Sequence, residues 1–424
     1  MASIGKGAIT IRVLIVLCLA LVSCEAQGRG GHGGVGLRGG VGLRGGVDLR
    51  GGGPGAGLGK EFNVIQFGAL PGGKADSTQA FIKAWVAACS YTASARVVIP
   101  QGVFKVAEVI FSGPCTNPNP MLIQVIGTVI ADSDPSNYPD KGWITISQVD
   151  GVRVFGGGTF DGQGQNMWKY DDCRTDPNCV YLPAALYLEN VKNARIQWLN
   201  LVNAMGFHMH ISDSQNVRVN RVTINSPAES PNTDGIHISR SQTVNIGRTS
   251  IATGDDCISI GQGAMNVSIK QVTCGPGHGI SVGSLGRLPN EMDVRGVLVT
   301  NCTFMGTTNG ARIKTFAASG ASRASAIVFD NLIMNNVQNP INIDQFYDSD
   351  SSAKPSLVKI SDVTFQNIRG TTASPVAVNL VCSKLAPCDL KFNNINLKSS
   401  GPVTSTCTNA QVQYTGIQVP PPCK

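Results

Sequence analysis

The chain has 424 residues, of which 14% are charged and 42% are hydrophobic, and its formal net charge is +7. This composition excludes a disordered protein, because the chain can fill a sizeable core. A basic excess suggests a polyanionic partner. The excess is unevenly placed, however: residues 61–424 carry 27 basic and 25 acidic side chains. The body of the protein is therefore nearly balanced in charge.

Residues 1–26 have the order of a secretory signal peptide. Lys6 and Arg12 precede the apolar run Val13 to Val22, and small residues lead to a cleavage position near Ala26. The run is shorter than the roughly 20 residues that cross a bilayer. We therefore expect a secreted, extracellular protein with no membrane span.

Residues 27–60 form a glycine-rich segment with a six-residue repeat that ends in Arg38, Arg44 and Arg50. Ordering so many glycines costs too much backbone entropy. We predict a flexible, weakly basic tail. The regularly spaced arginines also permit electrostatic tethering to an acidic polymer.

The cysteines and two sequons fit an exported protein. Eleven of the 13 cysteines follow the leader, and ten of them fall into pairs that are close in sequence, which leaves Cys302 over. We interpret the pairs as disulfide candidates and disfavour zinc, because no Cys-x-x-Cys occurs. Asn266 and Asn301 begin sequons and are glycosylation candidates. The candidate pairs are Cys89 with Cys115, Cys173 with Cys179, Cys257 with Cys274, Cys382 with Cys388, and Cys407 with Cys423.

From Phe62 onward, short alternating runs of β-branched residues recur, such as Val217 to Ile224 and Val267 to Thr273. A repeat made of period-two strands indicates a stacked solenoid. We predict an all-β catalytic domain over residues 61–424, folded as a right-handed parallel β-helix. A β-propeller needs about four strands per repeat and a leucine-rich repeat needs helices, so both fit less well. The residues expected to break the runs are Gly127, Gly157, Trp198, Asn220, Gly247, Lys270, Asn301, Asn331, Asp362 and Asn394.

Helical periodicity occurs near Ser77 to Cys89. There Phe81, Trp85 and Cys89 follow a four-residue step, which places them on one helical face. The end of a solenoid exposes apolar residues unless something covers it. We therefore predict a short N-terminal capping helix.

Four short motifs bring together ionisable groups, most of them beside glycine. In stacked strands, residues one coil apart lie about 4.8 Å apart. We therefore predict that Asp234, Asp255 and His278, each about one coil from the next, form a column on one face. Asp256 would reach the same cleft from a bulged position. The motifs are Asn232-Thr-Asp234-Gly235, Gly254-Asp255-Asp256-Cys257, Gly277-His278-Gly279 and Arg312-Ile-Lys314.

This combination predicts chemistry rather than turns. A single Asp-Gly or Asn-Thr-Asp unit is usually a turn, but four motifs in register indicate a site. Close carboxylates with split pKa values are what acid–base cleavage of a glycosidic bond uses. Arg312 and Lys314 alternate with Ile313 and so face one side, where they could hold an anionic sugar.

Three other histidines are interpreted as structural. His208 and His210 share one face of an alternating run, but no third ligand accompanies them, so we predict no metal site there. His237 lies two residues beyond Gly235 and is expected to support the wall of the cleft.

At these motifs the sequence resembles the polygalacturonases, glycoside hydrolases that cut pectic homogalacturonan. The resemblance covers nearly all of residues 62–424 and is strongest to plant pollen-type exopolygalacturonases. It is carried there by Ser226-Pro227, by Ser230 to His237 and by Gly275 to Gly286.

The resemblance implies inverting hydrolysis of α-1,4-galacturonosyl linkages, exo-acting and without metal or organic cofactor. It implies that Asp255 is the general acid, that Asp234 and Asp256 activate water, and that His278 tunes the acid. The substrate-binding residues that it implies are Asn232, Arg312, Lys314 and Tyr347.

We therefore expect a monomer that degrades pectin in the cell wall. Its partner is a polyanionic pectic polysaccharide, and we expect no nucleic acid to bind. Three alternatives remain open: endo action on the same substrate, a pectate lyase, which would need calcium, and a non-catalytic pectin-binding wall protein.

Overall fold

The computed structural model describes residues 59–117, 120–171, 182–349 and 354–423. The predicted leader, nearly all of the predicted tail and the Cys173–Cys179 pair lie outside these residues. Within the described ranges, no helix is both long enough and apolar enough to cross a membrane.

The chain winds into coils, and each strand pairs in parallel with the equivalent strand of the next coil. Lys192–Gln197, for example, pairs with Asp150–Phe155 on one side and Gln215–Asn220 on the other. The alternating sequence points every second residue inward, so Val217, Val244 and later apolar residues stack into a continuous core. The predicted right-handed parallel β-helix is confirmed.

The strands form an 11-stranded sheet, called the front sheet, and a 22-stranded sheet. The larger sheet consists of two stacks, called the back sheet and the side sheet, which are joined through Lys359–Thr372. The front sheet consists of Val109–Ser112, Gly142–Ser147, Ala184–Glu189, Met209–Ser212, Ile236–Ser239, Ile258–Ile260, Ile280–Leu285, Asn309–Phe316, Asn339–Tyr347, Val376–Val381 and Thr404–Thr408. The back sheet consists of Lys60–Asn63, Ala95–Ile99, Met121–Val125, Asp150–Phe155, Lys192–Gln197, Gln215–Asn220, Gln242–Gly247, Met265–Lys270, Val294–Thr300, Arg323–Asp330, Lys359–Thr372, Cys388–Lys398 and Ala410–Val419. The side sheet consists of Val103–Val106, Thr128–Ala131, Thr159–Asp161, Asn200–Val202, Thr223–Asn225, Ser250–Ala252, Thr273–Cys274, Thr303–Met305 and Ile333–Val337.

The predicted capping helix is present as Thr78–Cys89. Its first free N–H, that of Thr78, donates to the Asp76 carboxylate at 3.0 Å, which satisfies an otherwise unpaired helix-end donor. Phe81 and Trp85 are buried, and the Trp85 ring stacks on Phe111 of the front sheet. The helix thus closes the apolar end of the coil. Short 3₁₀ turns occur at Val64–Phe67, Pro135–Asn137, Gly164–Asn166 and Trp168–Tyr170.

Two predicted strand breaks, Asp362 and Asn394, are wrong because they lie inside the strands Lys359–Thr372 and Cys388–Lys398. Three others are wrong by one residue. At the corners between back and side sheets, the left-handed residues are Arg221, Arg248 and Gln271, with φ of 53°, 52° and 57°. Each directly follows a predicted break, namely Asn220, Gly247 and Lys270. Apart from glycine, asparagine and aspartate, residues rarely adopt the left-handed backbone conformation. Here the stacked register sets where the backbone turns, and the outward-facing side chain has room.

Four of the five candidate cysteine pairs are disulfides in the structure. Cys302 is free and buried, and burial raises the pKa of its thiol to about 11. The disulfides are Cys89–Cys115, Cys257–Cys274, Cys382–Cys388 and Cys407–Cys423.

Candidate active site

Three of the predicted motifs meet at one edge of the front sheet. Each motif comes directly before a strand, and those strands begin at Ile236, Ile258 and Ile280. The strands pair in parallel, with Ile236 beside Ile258 and Ile258 beside Ile280. Residues far apart in sequence are therefore brought together by the stacking of coils.

The members of the predicted column come together at this edge. His278 contacts Asp255, and Asp255 is close enough to raise the pKa of Asp234. Counted back from the paired strands, however, the residue level with Asp234 is Asp256. Both Asp255 and Asp256 precede the strand Ile258–Ile260, so strand alternation does not apply to them and both carboxylates can face the same side.

His278 holds Asp255 from the neighbouring coil. Its Nδ1 lies 2.9 Å from Asp255 Oδ1, and its backbone N–H donates to the Asp255 carbonyl oxygen at 2.8 Å. Gly277 makes this approach possible: its φ is +140°, and a Cβ there would lie 2.8 Å from the Asp255 carbonyl oxygen. The glycine before the histidine is thus a structural requirement of the site.

Asp256 forms the buried floor of the site. Its side chain is 1% exposed, and it accepts hydrogen bonds from Ser281 Oγ at 2.7 Å and from Lys314 Nζ at 2.8 Å. Arg312 lies 3.7 Å from the same carboxylate. Burial lowers the pKa of Lys314, but the charges of Asp256, Tyr347 and Asp234 together outweigh burial, so this pKa lies above its usual value. Asp256 and Lys314 therefore form a buried ion pair on the floor of the site.

Asp234 is the carboxyl whose protonated form is favoured. Burial, together with the negative charges of Asp255 and Asp256, raises its pKa well above the ordinary value. Its Oδ2 accepts a hydrogen bond from Ser259, whose Oγ is also 2.7 Å from His237 Nδ1. Asp234 therefore gives up its proton less readily than an ordinary carboxyl.

The pKa of Asp255 is displaced in the opposite direction. Burial raises it, but the hydrogen bond from His278 and the charges of Lys314 and His278 outweigh burial, so the pKa falls below the ordinary value. Asp255 is also the more accessible carboxyl, with its side chain 26% exposed. The resemblance implies that Asp255 donates a proton, whereas the pKa shifts of the free protein favour protonation of Asp234 over Asp255.

A basic edge borders the carboxylates on the next coil. Arg312 and Lys314 lie on the strand Asn309–Phe316, and both face the site, as their alternation predicts. The Tyr347 ring packs against them, 5.1 Å from the Arg312 guanidinium and 4.9 Å from Lys314 Nζ. Arg312 Nε is buried and has no hydrogen-bond partner among the described residues. A donor left unpaired in this way is available to an incoming anion.

Asn232 lies close in sequence to Asp234 but does not bind the carboxylates of the site. It has left-handed backbone (φ 51°) two residues before Asp234 and is half-buried. Among the described residues, no hydrogen bond joins its side chain to a carboxylate. Its predicted role in substrate binding stays a prediction.

The remaining histidines form packed and hydrogen-bonded contacts. His208 is buried between the Asp234 carbonyl and Ser226, and burial lowers its pKa to about 4. His210 stacks on Tyr187, and Phe207 stacks on His237 with ring centroids 4.9 Å apart. This aromatic wall continues the front sheet away from the basic edge. The sequence indicated His237 in this wall, and the structure adds Phe207 and Tyr187 to it.

Two serines that hold the carboxylates were also missed. Ser259 contacts Asp234 and Ser281 contacts Asp256, and the two serines are paired across adjacent strands. A signal was present: both alternate with inward-facing isoleucine or valine, so both face outward toward the motifs. The only group of possible metal ligands in the described part of the chain is Asp255, Asp256 and His278, where Lys314 already supplies a positive charge.

Comparisons with known proteins show the family of the chain. Residues 89–416 match the family described as glycosyl hydrolases family 28. An exopolygalacturonase of Platanus acerifolia is 44% identical over 369 residues, covering 85% of this chain and 97% of its own length. An exopolygalacturonase of Arabidopsis thaliana is 40% identical over 430 residues, covering 98% and 96%. The polygalacturonase structure from Erwinia carotovora ssp. carotovora has a TM-score of 0.68 at 26% identity, covering 81% and 95%.

The chain therefore belongs to glycosyl hydrolases family 28. The resemblance to polygalacturonases that the four motifs carried is confirmed.

The buried ion pair on the site floor generates a stability prediction. Lys314→Met keeps most of the side-chain volume but leaves Asp256 buried without its partner, so we expect a loss of about 3–5 kcal/mol in the free energy of unfolding. Lys391→Met is the matched control, because Lys391 pairs with Asp362 at the surface and should lose under about 1 kcal/mol. Urea unfolding at pH 7 measures both, and equal losses would contradict the compensated floor.

Proposed function

We propose that the protein hydrolyses α-1,4-linked galacturonan by single displacement and acts from a chain end. The observation that carries this proposal is the site itself. Two carboxyls with oppositely displaced pKa values, Asp234 and Asp255, lie beside Arg312 and Lys314, which can receive the carboxylate of a uronic acid. The names of the family 28 relatives support the same activity and the exo action.

Each carboxyl has a distinct part in the proposed reaction. Asp255, the accessible one, gives a proton to the glycosidic oxygen as the bond to the anomeric carbon breaks. Asp234 and Asp256 lie deeper and orient a water, whose oxygen bonds to that carbon from the opposite face. One of these two carboxylates accepts the proton that the water loses, so the sugar product is inverted.

Substrate binding is expected to favour the protonated form of Asp255. In the free protein, the hydrogen bond from His278 and the charges of Lys314 and His278 outweigh burial and lower the pKa of Asp255. A galacturonate carboxylate held by Arg312 and Lys314 would offset part of that positive charge and raise the pKa of Asp255. Asp255 would then be protonated more readily, as its role as the acid requires.

Most of the residues proposed to bind substrate lie on the basic edge. Arg312 offers an unpaired, buried donor, and Lys314 offers charge. Tyr347 packs against both cations and fixes their orientation. Asn232 is assigned to sugar binding through its position ahead of Asp234. A pectic polysaccharide is thus recognised through the carboxylates on its sugars.

We also propose that the protein is secreted into the cell wall as a monomer. The order of residues in segment 1–26 supports export, and the four disulfides suit an oxidising compartment. Both candidate glycosylation sites, Asn266 and Asn301, are exposed on the structure. The N-terminal residue of the secreted protein, read by mass spectrometry, tests this route: an intact Met1 would contradict it.

Removing the proposed acid should abolish turnover. We expect Asp255→Asn to lower the rate of reducing-sugar release from polygalacturonate by about 10²–10⁴-fold, the usual contribution of a general acid. Asp389→Asn, at an exposed carboxylate on the back sheet, is the matched control and should behave as wild type. Wild-type rates for Asp255→Asn would overturn the acid assignment, and a wild-type protein that releases no sugar would favour a non-catalytic binding protein.

The exo action predicts a particular product pattern. An enzyme that works from a chain end releases small products of one size from the start, because it does not cut interior linkages. We expect monogalacturonate as the earliest product of polygalacturonate, seen by anion-exchange chromatography at low conversion. A ladder of intermediate oligomers at that stage would show endo action instead.

The hydrogen bond from His278 predicts a change in the pH profile. Because His278 lowers the pKa of Asp255, His278→Ala should raise that pKa. An acid acts while protonated, so activity is lost as pH rises through its pKa. We therefore expect the alkaline limb of the kcat/KM profile to move to higher pH. A shift of the acidic limb instead would identify Asp255 as the base.

A further inference from the structure

A second charged feature lies on the back sheet, away from the carboxylates. Three neighbouring strands, Asp150–Phe155, Lys192–Gln197 and Gln215–Asn220, border a groove of about 430 Å³. The parallel register places one arginine of each strand directly beside the next. These three residues, which we call the arginine ladder, are Arg153, Arg195 and Arg218.

The arginine ladder is electrostatically uncompensated. Its three side chains are exposed, and adjacent strands place them about 4.8 Å apart. Like charges directly opposite on a sheet are destabilising. Within the described ranges, none of the three has a carboxylate oxygen within 4.0 Å. By contrast, Arg96 and Arg240 are each paired with an acid.

One acidic residue, Asp150, lines the groove, and its carboxylate binds an asparagine rather than an arginine of the ladder. The Asp150 carboxylate accepts a hydrogen bond from Asn193 Nδ2 at 2.6 Å, and Asn193 Oδ1 accepts one from Asn216 Nδ2 at 2.6 Å. These side chains form a polar row beside the arginine ladder. Three cations against one carboxylate leave the groove with a local excess of positive charge.

We propose that the arginine ladder is a second binding site for a carboxylate-bearing polysaccharide, separate from the catalytic cleft. A linear polyuronate lying along the coil axis would present carboxylates to successive arginines. Guanidinium groups suit this role, because their planar fork can bind a carboxylate with two hydrogen bonds. The choice of a polyuronate rests on the proposed function, while the groove and its charge do not.

Such a site would increase the effective concentration of the polymer at the catalytic cleft. A protein held on a polymer by one site meets the same polymer at its other site at high local concentration. The body of the chain is nearly neutral overall, so general attraction to a polyanion is weak. The arginine ladder places charge where one strand of polymer can use it, and retention would become sensitive to salt.

The test compares two triple variants of the full-length chain with identical changes in net charge. The ladder variant is Arg153→Ala, Arg195→Ala and Arg218→Ala. The control variant is Arg248→Ala, Arg295→Ala and Arg323→Ala, which removes three exposed arginines outside the groove. Binding to immobilised polygalacturonate is measured by surface plasmon resonance at 4 °C. In parallel, each variant hydrolyses trigalacturonate, which is too short to span both sites.

We expect the ladder variant to raise the Kd for polygalacturonate about tenfold or more, and the control variant to change it less than twofold. Trigalacturonate turnover should equal wild type for both variants. Equal weakening by both variants, or none by either, would overturn the proposal. The melting temperature of the ladder variant, compared with that of wild type, shows whether the variant is folded. If the variant bound polygalacturonate more weakly only because it was unfolded, the proposal would also be overturned.

Two further polymers define the ligand class. Fully methyl-esterified pectin lacks free carboxylates, so the ladder variant and wild type should bind it alike. If the ladder variant lost as much affinity for dextran sulfate as for polygalacturonate, the site would bind polyanions in general. That result would overturn the assignment of a carboxylate-bearing ligand. Failure of the proposed function is separately visible: wild type would then release no sugar from polygalacturonate, whatever the binding result.

Discussion

The parallel register of the coils is the constraint on which the rest of the structure depends. Once Ile236, Ile258 and Ile280 stack inward, every residue at an equivalent position in each coil is placed as well. Inward positions form one continuous apolar core, and outward positions form columns at the strand spacing of about 4.8 Å. The arginine ladder is such an outward column, and the acid cluster lies in the segments that lead directly into three of the stacked strands. The same rule therefore generates an anionic site on one sheet and a cationic groove on another.

The acid cluster survives in the folded state because cations compensate it. Three carboxyls in one cleft would repel one another strongly if all were charged. Lys314 and Arg312 offset Asp256, and the raised pKa of Asp234 favours its uncharged form. His278 stabilises the charged form of Asp255. Stability and chemistry thus use the same contacts, because the residues that keep the site folded also shift the pKa values of its carboxyls.

Much of the fold follows from local pattern. Alternation of β-branched residues predicted the strands, and the four-residue step of Phe81, Trp85 and Cys89 predicted the capping helix. The corners at Arg221 and Arg248 were predicted one residue too early, at an asparagine and a glycine. Those residue types have only a local preference for breaking a strand and for left-handed backbone. In the folded chain the turn position is common to all coils, so a residue with poor local preference adopts it. Non-local stacking outweighs local propensity there.

The sequence by itself indicated the motifs that the fold brings together, since the spacing of Asp234, Asp255 and His278 by about one coil can be read from the chain. Only the tertiary structure decided that Asp256 lies level with Asp234 and that the pKa of Asp234 rises while that of Asp255 falls. Register and burial decide these properties, and both depend on contacts between coils. The arginine ladder has the same origin, because no segment of sequence places its three members side by side.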